Sequence, residues 1–337
     1  MQLNSEIVTT PPRASATVVL LRDDPQKGLQ VFLLRRHTAS AVLGGAYVFP
    51  GGKLDEADCA PDLHAYLDAA PRALFRALGE VDLPVHTAAG LYVAAVREVL
   101  EECGVLYARL HHAEALAHDA VQRQQWQQRL HGGQAFAELL HTTGLRVDTQ
   151  RLLPWSRWIT PLTPSVTNKR FDTRFFVAVL PEGQHPIHDN IEAIDSVWLS
   201  PRDALARYWG GDLPLAPPQI MTLVSLLPHA DSASVWHEAQ QRQPPLVLPE
   251  AFDDHGVRTL CYPGDPRHSV SHRAMRGPTR LRFVAGRFEP VGGFEEFLRM
   301  QFQPLTCKVK KAWCLDWRTS TALHGVVRVK RKPWEPM

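Results

Sequence analysis

Residues 97–105 read REVLEECGV and place three glutamates within five positions. In a helix, positions i, i+3 and i+4 share one face, so Glu98, Glu101 and Glu102 would point the same way. Like charges at this spacing cost a helix about 0.2–0.5 kcal/mol per pair. Arg97 could offset part of this cost, and so could a divalent cation, which prefers oxygen ligands. The stretch alone therefore leaves two interpretations open, a solvated acidic face and a metal site.

A glycine-rich segment, GGAYVFPGGK at 44–53, lies upstream of this acidic stretch. Gly51 and Gly52 allow the backbone to adopt positive φ and to approach a ligand closely. Asp58 follows Gly52 by six positions. A backbone carbonyl beside several carboxylates suits Mg²⁺, which lowers the pKa of bound water and neutralises charge on a phosphoryl group. The two segments together favour the metal site.

Taken together, these segments resemble the Nudix box. The box runs Gly, five residues, Glu, seven residues, then Arg-Glu-apolar-any-Glu-Glu-any-Gly-apolar. Residues 97–105 match the second half in full, and Phe49-Pro50 lead into Gly51-Gly52 in the expected way. The first half differs, because Asp58 stands where the family usually has Glu, and 38 residues (59–96) replace the usual seven. We interpret the extra residues as an insertion that loops out, since long surface loops add little closure entropy.

The resemblance implies a Mg²⁺ or Mn²⁺ ion and the attack of a metal-activated water on one phosphorus of a P–O–P linkage. Arg97 would orient a glutamate through a charge-assisted hydrogen bond. The metal ligands that the resemblance implies are the Gly52 carbonyl, Asp58, Glu98, Glu101 and Glu102.

The general base stays open at this point, because Nudix subfamilies differ in the residue that they use. One alternative is a box glutamate, with Glu98 or Glu102 as the candidate. The other is an acid in the later stretch HDNIEAID at 188–195, which offers Asp189, Glu192 and Asp195. We favour Glu192, although an ordinary loop carboxylate would look the same in the sequence.

The substrate class follows from a second likeness. Residues 40–58, the long insertion and residues 158–180 are similar to the peroxisomal coenzyme A diphosphatases and their bacterial relatives. Coenzyme A or acyl-coenzyme A is therefore the expected substrate. Arginines suit bidentate phosphate contacts, and an aromatic ring could stack on adenine. The candidate substrate contacts are Arg36, Arg170, Phe171 and Arg174, although 170–174 also fits a strand with alternating core and surface positions.

Two other classes of function remain possible on sequence. One is a Nudix diphosphatase of another nucleotide, such as ADP-ribose, NADH, a dinucleoside polyphosphate or an RNA 5′ end. The RNA alternative is supported only by the basic segment within 308–332. The other class is a non-catalytic module that senses a nucleotide, but such modules typically lose box glutamates, and this chain has all of those in 97–105.

The composition sets further limits. The chain has 337 residues, 45% of them hydrophobic, and a net charge of +2. Such a balance gives no strong attraction to nucleic acid or membranes, and we expect neither as a partner. Five cysteines at irregular spacing do not form a disulfide framework, which suits a reducing compartment. No signal-peptide pattern is recognisable at the N-terminus, so a cytoplasmic location is expected.

The expected fold is α/β, a Nudix α/β/α sandwich with a mixed sheet, a helical insertion and a C-terminal extension. Strand-like apolar runs near 16–22 and 29–35 predict a hairpin, and Thr87 and Gly104 predict a helix over about 88–103. The predicted organisation is a flexible lead at 1–14, a Nudix domain at 15–210 with insertions at 59–88 and 107–142, a helical or irregular extension at 211–291, and a basic tail at 292–337.

Overall fold

A computed structural model describes residues 6–110, 120–164 and 169–299. Its centre is a hairpin of two strands, β1 (Arg13–Asp24) and β2 (Gly28–Arg36), in which Leu21 lies opposite Val31. The β-branched and apolar runs of both strands are buried, and Gly28 takes φ +67° at the turn. The hairpin forms because these runs favour extended backbone and are separated by turn residues.

Six further strands complete an eight-stranded mixed sheet. They are β3 (Tyr47–Val48), β4 (Gly51–Lys53), β7 (Leu153–Ile159), β8 (Phe171–Val179), β9 (Ala193–Leu199) and β10 (Leu246–Val247). Strand β8 pairs parallel with β1, and β10 pairs parallel with β7, whereas the other pairs are antiparallel. The order is β10-β7-β8-β1-β2-β3, with β4 added to β1 and β9 added to β2. This arrangement confirms the predicted mixed α/β fold.

Helix α2 (Val85–Cys103) covers one face of the sheet and carries the box glutamates. It begins three residues before the predicted start, directly after Pro84, whose extended backbone precedes the first helical residue. It ends at Gly104 with φ +69°, the left-handed C-cap that glycine adopts without steric cost. The Tyr92 ring packs on Phe176 of β8 with centroids 4.7 Å apart. This packing fixes the helix, and so the glutamates, against the sheet.

The opposite face is covered by three helices and a second sheet. The helices are α5 (Pro201–Gly210), α6 (Pro217–Leu226) and α7 (Ser232–Gln241). The four-stranded antiparallel sheet consists of β11 (Glu250–Asp254), β12 (Val257–Cys261), β13 (Arg280–Val284) and β14 (Arg287–Pro290).

Within the extension at 211–291, two helices are followed by short strands that Gly- and Pro-containing loops separate. These elements differ in one place from the predicted organisation. Residues 292–299 were expected to belong to a basic tail, yet they form a turn and the short helix α8 (Glu295–Leu298), and Phe297 is buried in the second core. The remainder of that tail, including 308–332, lies outside the described residues.

The two insertions are folded. In 59–88, helix α1 (Pro71–Leu78) buries Leu74 and Leu78 in the core beneath α2. In 107–142, the predicted helices appear as α3 (Ala120–His131) and α4 (Phe136–Thr143). They lie between two strands that were not predicted, β5 (Ala108–Leu110) and β6 (Leu145–Val147), which pair antiparallel. None of the helices in the described ranges combines the length and apolar character that crossing a bilayer would require.

Candidate active site

The two halves of the box meet where β4 lies against α2. The Gly51 amide donates a 2.8 Å hydrogen bond to Glu102 Oε2. A Cβ atom on Gly52 would clash with the Glu98 carboxylate, and one on Gly51, at φ +150°, would clash with the Ala16 carbonyl. Only glycine permits both contacts, so the GG pair lets the strand pass directly beside the glutamates.

Arg97 is the centre of the hydrogen-bond network at this junction. Its Nε and Nη2 donate to the two Asp58 oxygens at 2.9 and 2.8 Å, and Nη2 also donates to the Lys53 carbonyl at 3.1 Å. Its Nη1 donates to Glu98 at 2.9 Å and to Glu101 at 3.0 Å. Arg97 is 8% exposed and Asp58 only 4%. One guanidinium therefore connects strand β4, the insertion and two box glutamates.

Asp58 reaches the site in spite of the 38 residues that separate it from Arg97. The insertion is not a surface loop, because Leu74 and Leu78 of α1 are buried beneath α2, but it does return the chain to the start of α2 so that both halves of the box meet. Both Asp58 oxygens are engaged by Arg97, and Oδ2 also accepts the Asp55 amide at 3.0 Å. The role of Asp58 as a metal ligand stays a prediction, but its contacts are those of a residue that positions Arg97.

Burial makes the glutamate cluster electrostatically strained. It raises the pKa of Glu98 to about 7, with the charges of Glu101 and Glu192 adding to the rise and Arg97 opposing it. Burial and the Glu98 charge raise the pKa of Glu102 well above its usual range, against the Gly51 hydrogen bond. The pKa of Glu101 is also raised by burial. Crowded, desolvated carboxylates of this kind are stabilised by a cation.

A hard divalent cation fits this set of donors. Glu98, Glu101 and Glu102 supply only oxygen ligands, and their shared burial disfavours leaving all three charged without a counter-ion. Within the described ranges, no group of three or more His, Cys, Asp and Glu is already arranged around a metal position. Arg97 and the Gly51 amide engage the glutamate oxygens in this structure. Glu98, Glu101 and Glu102 would hold the ion once some of these oxygens turned toward it.

A cleft of about 590 Å³ opens beside the cluster. Glu98, Gly51 and Gly52 line it on one side. Of the predicted substrate contacts, Arg36 and Phe171 also line it. Two of the five metal candidates, Gly52 and Glu98, and two of the four substrate candidates therefore line one cavity.

Arg170 and Arg174 have other partners. Arg170 donates to the carbonyls of Thr160 and Thr10, at 3.0 and 3.2 Å. Arg174 is 3% exposed and pairs with Glu80 at 2.6 Å and Asp172 at 3.0 Å, and both acids also pair with Arg157. This quartet connects the end of the insertion to strands β7 and β8. Substrate contact by either arginine stays a prediction. The alternative, that 170–174 is a strand whose side chains only support the fold, accounts for the hydrogen bonds and ion pairs seen here.

Among the three loop acids, Glu192 lines the cleft. Its Oε2 atom lies 3.6 Å from Arg36 Nη2, and its side chain is 60% exposed. Asp189 instead accepts the backbone amides of residues 191–193 and so shapes the loop. Asp195 accepts the Tyr47 hydroxyl at 2.8 Å. The geometry therefore favours Glu192 as the loop acid that could reach a bound water.

The sequence did not indicate several residues of the cleft. Gln219 lies near the start of α6, far along the chain from the box, and His37, Val42 and Leu43 come from the loop after β2. Val42 and Leu43 fall within 40–58, part of the coenzyme A likeness, although no role was expected of them. No motif marks Gln219, because it meets the box only through the sheet and the packing of α6.

A mixed sheet between helices, with the box glutamates of one helix clustered beside a cleft that Glu98 lines, is typical of the Nudix class. Comparisons with known proteins agree. A family model described as the NUDT19 Nudix domain matches residues 12–226. The chain belongs to this family and is a Nudix hydrolase, an enzyme class that acts on diphosphate bonds and uses divalent metal ions.

Three relatives illustrate the likeness. The acyl-coenzyme A diphosphatase NUDT19 of Gallus gallus is 27% identical over 284 residues, which are 71% of this chain and 74% of the relative. The human protein of the same name is 30% identical over 236 residues, 59% of this chain and 60% of the relative. A crystal structure of a NUDIX hydrolase from Alicyclobacillus acidocaldarius is 27% identical with a TM-score of 0.56, covering 70% of this chain and 98% of that chain.

Proposed function

We propose that this chain hydrolyses the diphosphate bond of coenzyme A and acyl-coenzyme A. The observation that carries the proposal is the cluster of glutamates in 97–105, one of which, Glu98, lines a cleft, in a chain of the NUDT19 Nudix family. The names of the relatives give the substrate class. In the proposed reaction, a water oxygen bonds to one phosphorus and the bond to the bridging oxygen breaks. Coenzyme A then gives 3′,5′-ADP and 4′-phosphopantetheine.

Five residues in and beside the cleft have roles in this proposal. Glu98, Glu101 and Glu102 would hold a divalent ion, Mg²⁺ or Mn²⁺, which when bound would supply an activated water and offset the diphosphate charge. Arg97 orients Glu98 and Glu101 through two hydrogen bonds from one nitrogen. Arg36, which lines the cleft, would bind a phosphate oxygen. The buried position of the cluster strengthens these electrostatic contacts, because less water screens them.

Product identification tests the function. We expect the purified chain with Mg²⁺ or Mn²⁺ to convert coenzyme A to 3′,5′-ADP and 4′-phosphopantetheine, measured by liquid chromatography and mass spectrometry, and chelation to stop the reaction. Cleavage of ADP-ribose, NADH or a dinucleoside polyphosphate with coenzyme A left intact would overturn the substrate and leave the hydrolase class standing. Nucleotide binding without cleavage of any of these would favour the sensing module instead.

Glu192 is the proposed general base, and its substitution gives a separate prediction. We expect Glu192→Gln to lower kcat by about 10²–10⁴-fold, because a general base contributes that much to proton transfer. Glu182→Gln, at an exposed position nearby in the chain, is the matched control and should change kcat little. An unchanged kcat in Glu192→Gln would assign the base to a box glutamate, Glu98 or Glu102.

The cytoplasmic location expected from the sequence also stays a prediction. RNA cleavage has no support among the described residues, because the basic segment that suggested it lies outside them.

A further inference from the structure

A second, smaller pocket lies beside the catalytic cleft. Its volume is about 170 Å³. It adjoins the cleft, because the same six residues line both cavities, whereas Glu98 lines only the cleft. The shared residues are Thr17, Val42, Leu43, Phe171, Thr173 and Gln219. A molecule held at the glutamates could therefore extend into this pocket, which we call the side pocket.

The side pocket is almost entirely apolar. Its own walls include Trp158 and Ile159 of β7, Ala216 and Pro217 at the start of α6, and Leu260 of β12. No residue in the described part of its lining carries a charge. The Trp158 indole nitrogen donates to Ser156 Oγ at 3.2 Å, so this polar group is satisfied within the protein. Such walls favour a hydrocarbon occupant and disfavour phosphate or a sugar.

Gln219 stands where the two cavities meet. It is 7% exposed, and its Oε1 atom has no hydrogen-bond partner within the described part of the chain. A buried acceptor without a partner is costly, so its presence at a cavity junction points to a ligand that donates a hydrogen bond there. An amide N–H is such a donor, and the pantetheine arm of coenzyme A contains two amides between its phosphate and its sulfur.

We propose that the side pocket holds the first carbons of the acyl chain of acyl-coenzyme A, and that Gln219 accepts a hydrogen bond from an amide of the pantetheine arm. This inference rests on the proposed function. The inference adds that the enzyme discriminates among its substrates by the length of their acyl group, which is apolar and remote from the reacting phosphorus.

The size of the pocket limits that length. A protein cavity of about 150 Å³ lined by apolar side chains accommodates one benzene ring, which has six carbons. The side pocket therefore accommodates an acyl segment of about six carbons. Adenine fits the walls less well, because the polar edge of its ring would need hydrogen-bond partners that Trp158, Ile159 and Leu260 do not provide.

The test is a series of kcat/KM values for coenzyme A and for its acetyl, butyryl, hexanoyl, octanoyl and decanoyl thioesters. We expect kcat/KM of the wild type to rise with chain length, by at most about fourfold for each buried methylene, and to level off near hexanoyl. Ile159→Trp should flatten the rise, because the indole fills the pocket, and Ile159→Ala should move the plateau to longer chains. Ile159 is only partly buried, so both variants should fold.

Three further variants make the result interpretable. Ala216→Leu fills the pocket from another wall and should also flatten the rise. Gln219→Met should lower kcat/KM by roughly two- to tenfold for coenzyme A and acyl-coenzyme A alike, since both carry the arm. Val291→Trp, an exposed position outside the pocket, is the control and should leave the chain-length series unchanged. Thermal unfolding of each variant verifies that it is folded.

The outcomes separate the two proposals. Wild-type cleavage of coenzyme A with no dependence on chain length would overturn the acyl pocket and leave the proposed function intact. If Ile159→Trp lowered kcat/KM equally for coenzyme A and for every thioester, the pocket would hold the part of the molecule that all these substrates share. That result would also overturn the acyl pocket. An unchanged Gln219→Met would overturn the amide contact. Absence of any coenzyme A or acyl-coenzyme A cleavage by the wild type would overturn the proposed function and this inference together.

Discussion

Glu102→Gln should lower kcat/KM by about 10³-fold and remove most of the stabilisation that a divalent ion gives to the fold. Glu102 is buried beside Glu98, and its Oε2 accepts the Gly51 amide. Glutamine retains the shape and can accept the same hydrogen bond, so the local backbone is preserved. It offers a neutral amide oxygen in place of a carboxylate, so the site loses one negative charge and binds a hard cation more weakly. The measurements are steady-state hydrolysis of coenzyme A and thermal unfolding with and without Mg²⁺.

The unfolding measurement distinguishes a metal ligand from a residue that only shapes the site. A ligand present at 100 times its Kd stabilises a protein by about 2.7 kcal/mol, which corresponds to roughly 4 °C in Tm for a chain of this size. We expect that shift in the wild type and in Glu138→Gln, an exposed control on α4, but not in Glu102→Gln. A full Mg²⁺ shift in Glu102→Gln would show that Glu102 is not a metal ligand, whatever happened to kcat/KM.

The sequence predicted the box well because its second half is local. Residues 97–105 lie in one helix and its cap, so the 3.6-residue period alone places Glu98, Glu101 and Glu102 together. The hairpin was also predictable from local patterns, since each strand is a continuous apolar run bounded by turn residues. The mixed sheet followed from the family resemblance and the irregular alternation of strands and helices.

The remaining parts depend on contacts between distant segments. Arg174 looks like a phosphate ligand in the sequence, yet Glu80, 94 positions earlier, lies beside it in the fold. Nothing local to either residue indicates this pair. The side pocket is a similar case, because β7, α6 and β12 each supply one wall. The short strands of the second sheet give weak periodicity, so tertiary pairing rather than local pattern defines them.

Arg97→Met should lower the free energy of unfolding by about 3–5 kcal/mol, the usual cost of removing one partner from a buried ion pair. The largest part of this loss should come from Asp58, which is 4% exposed and would keep its charge without a guanidinium. Glu98 and Glu101 would also lose their shared donor. Denaturant unfolding measures the change, and Arg76→Met, an exposed arginine on α1, should cost little by comparison.

A double-mutant cycle identifies which partner carries the effect. Asp58→Asn keeps the size of the side chain and removes its charge, so adding it to Arg97→Met should restore about 1–3 kcal/mol by eliminating the unpaired buried carboxylate. Additive losses in the double variant would mean that the pair is not coupled and that Arg97 acts mainly through the box glutamates. Coupling, together with retained Mg²⁺ stabilisation in Asp58→Asn, would assign Asp58 to positioning Arg97. The aspartate would then tolerate its shorter side chain because it contacts the guanidinium and does not have to reach the ion.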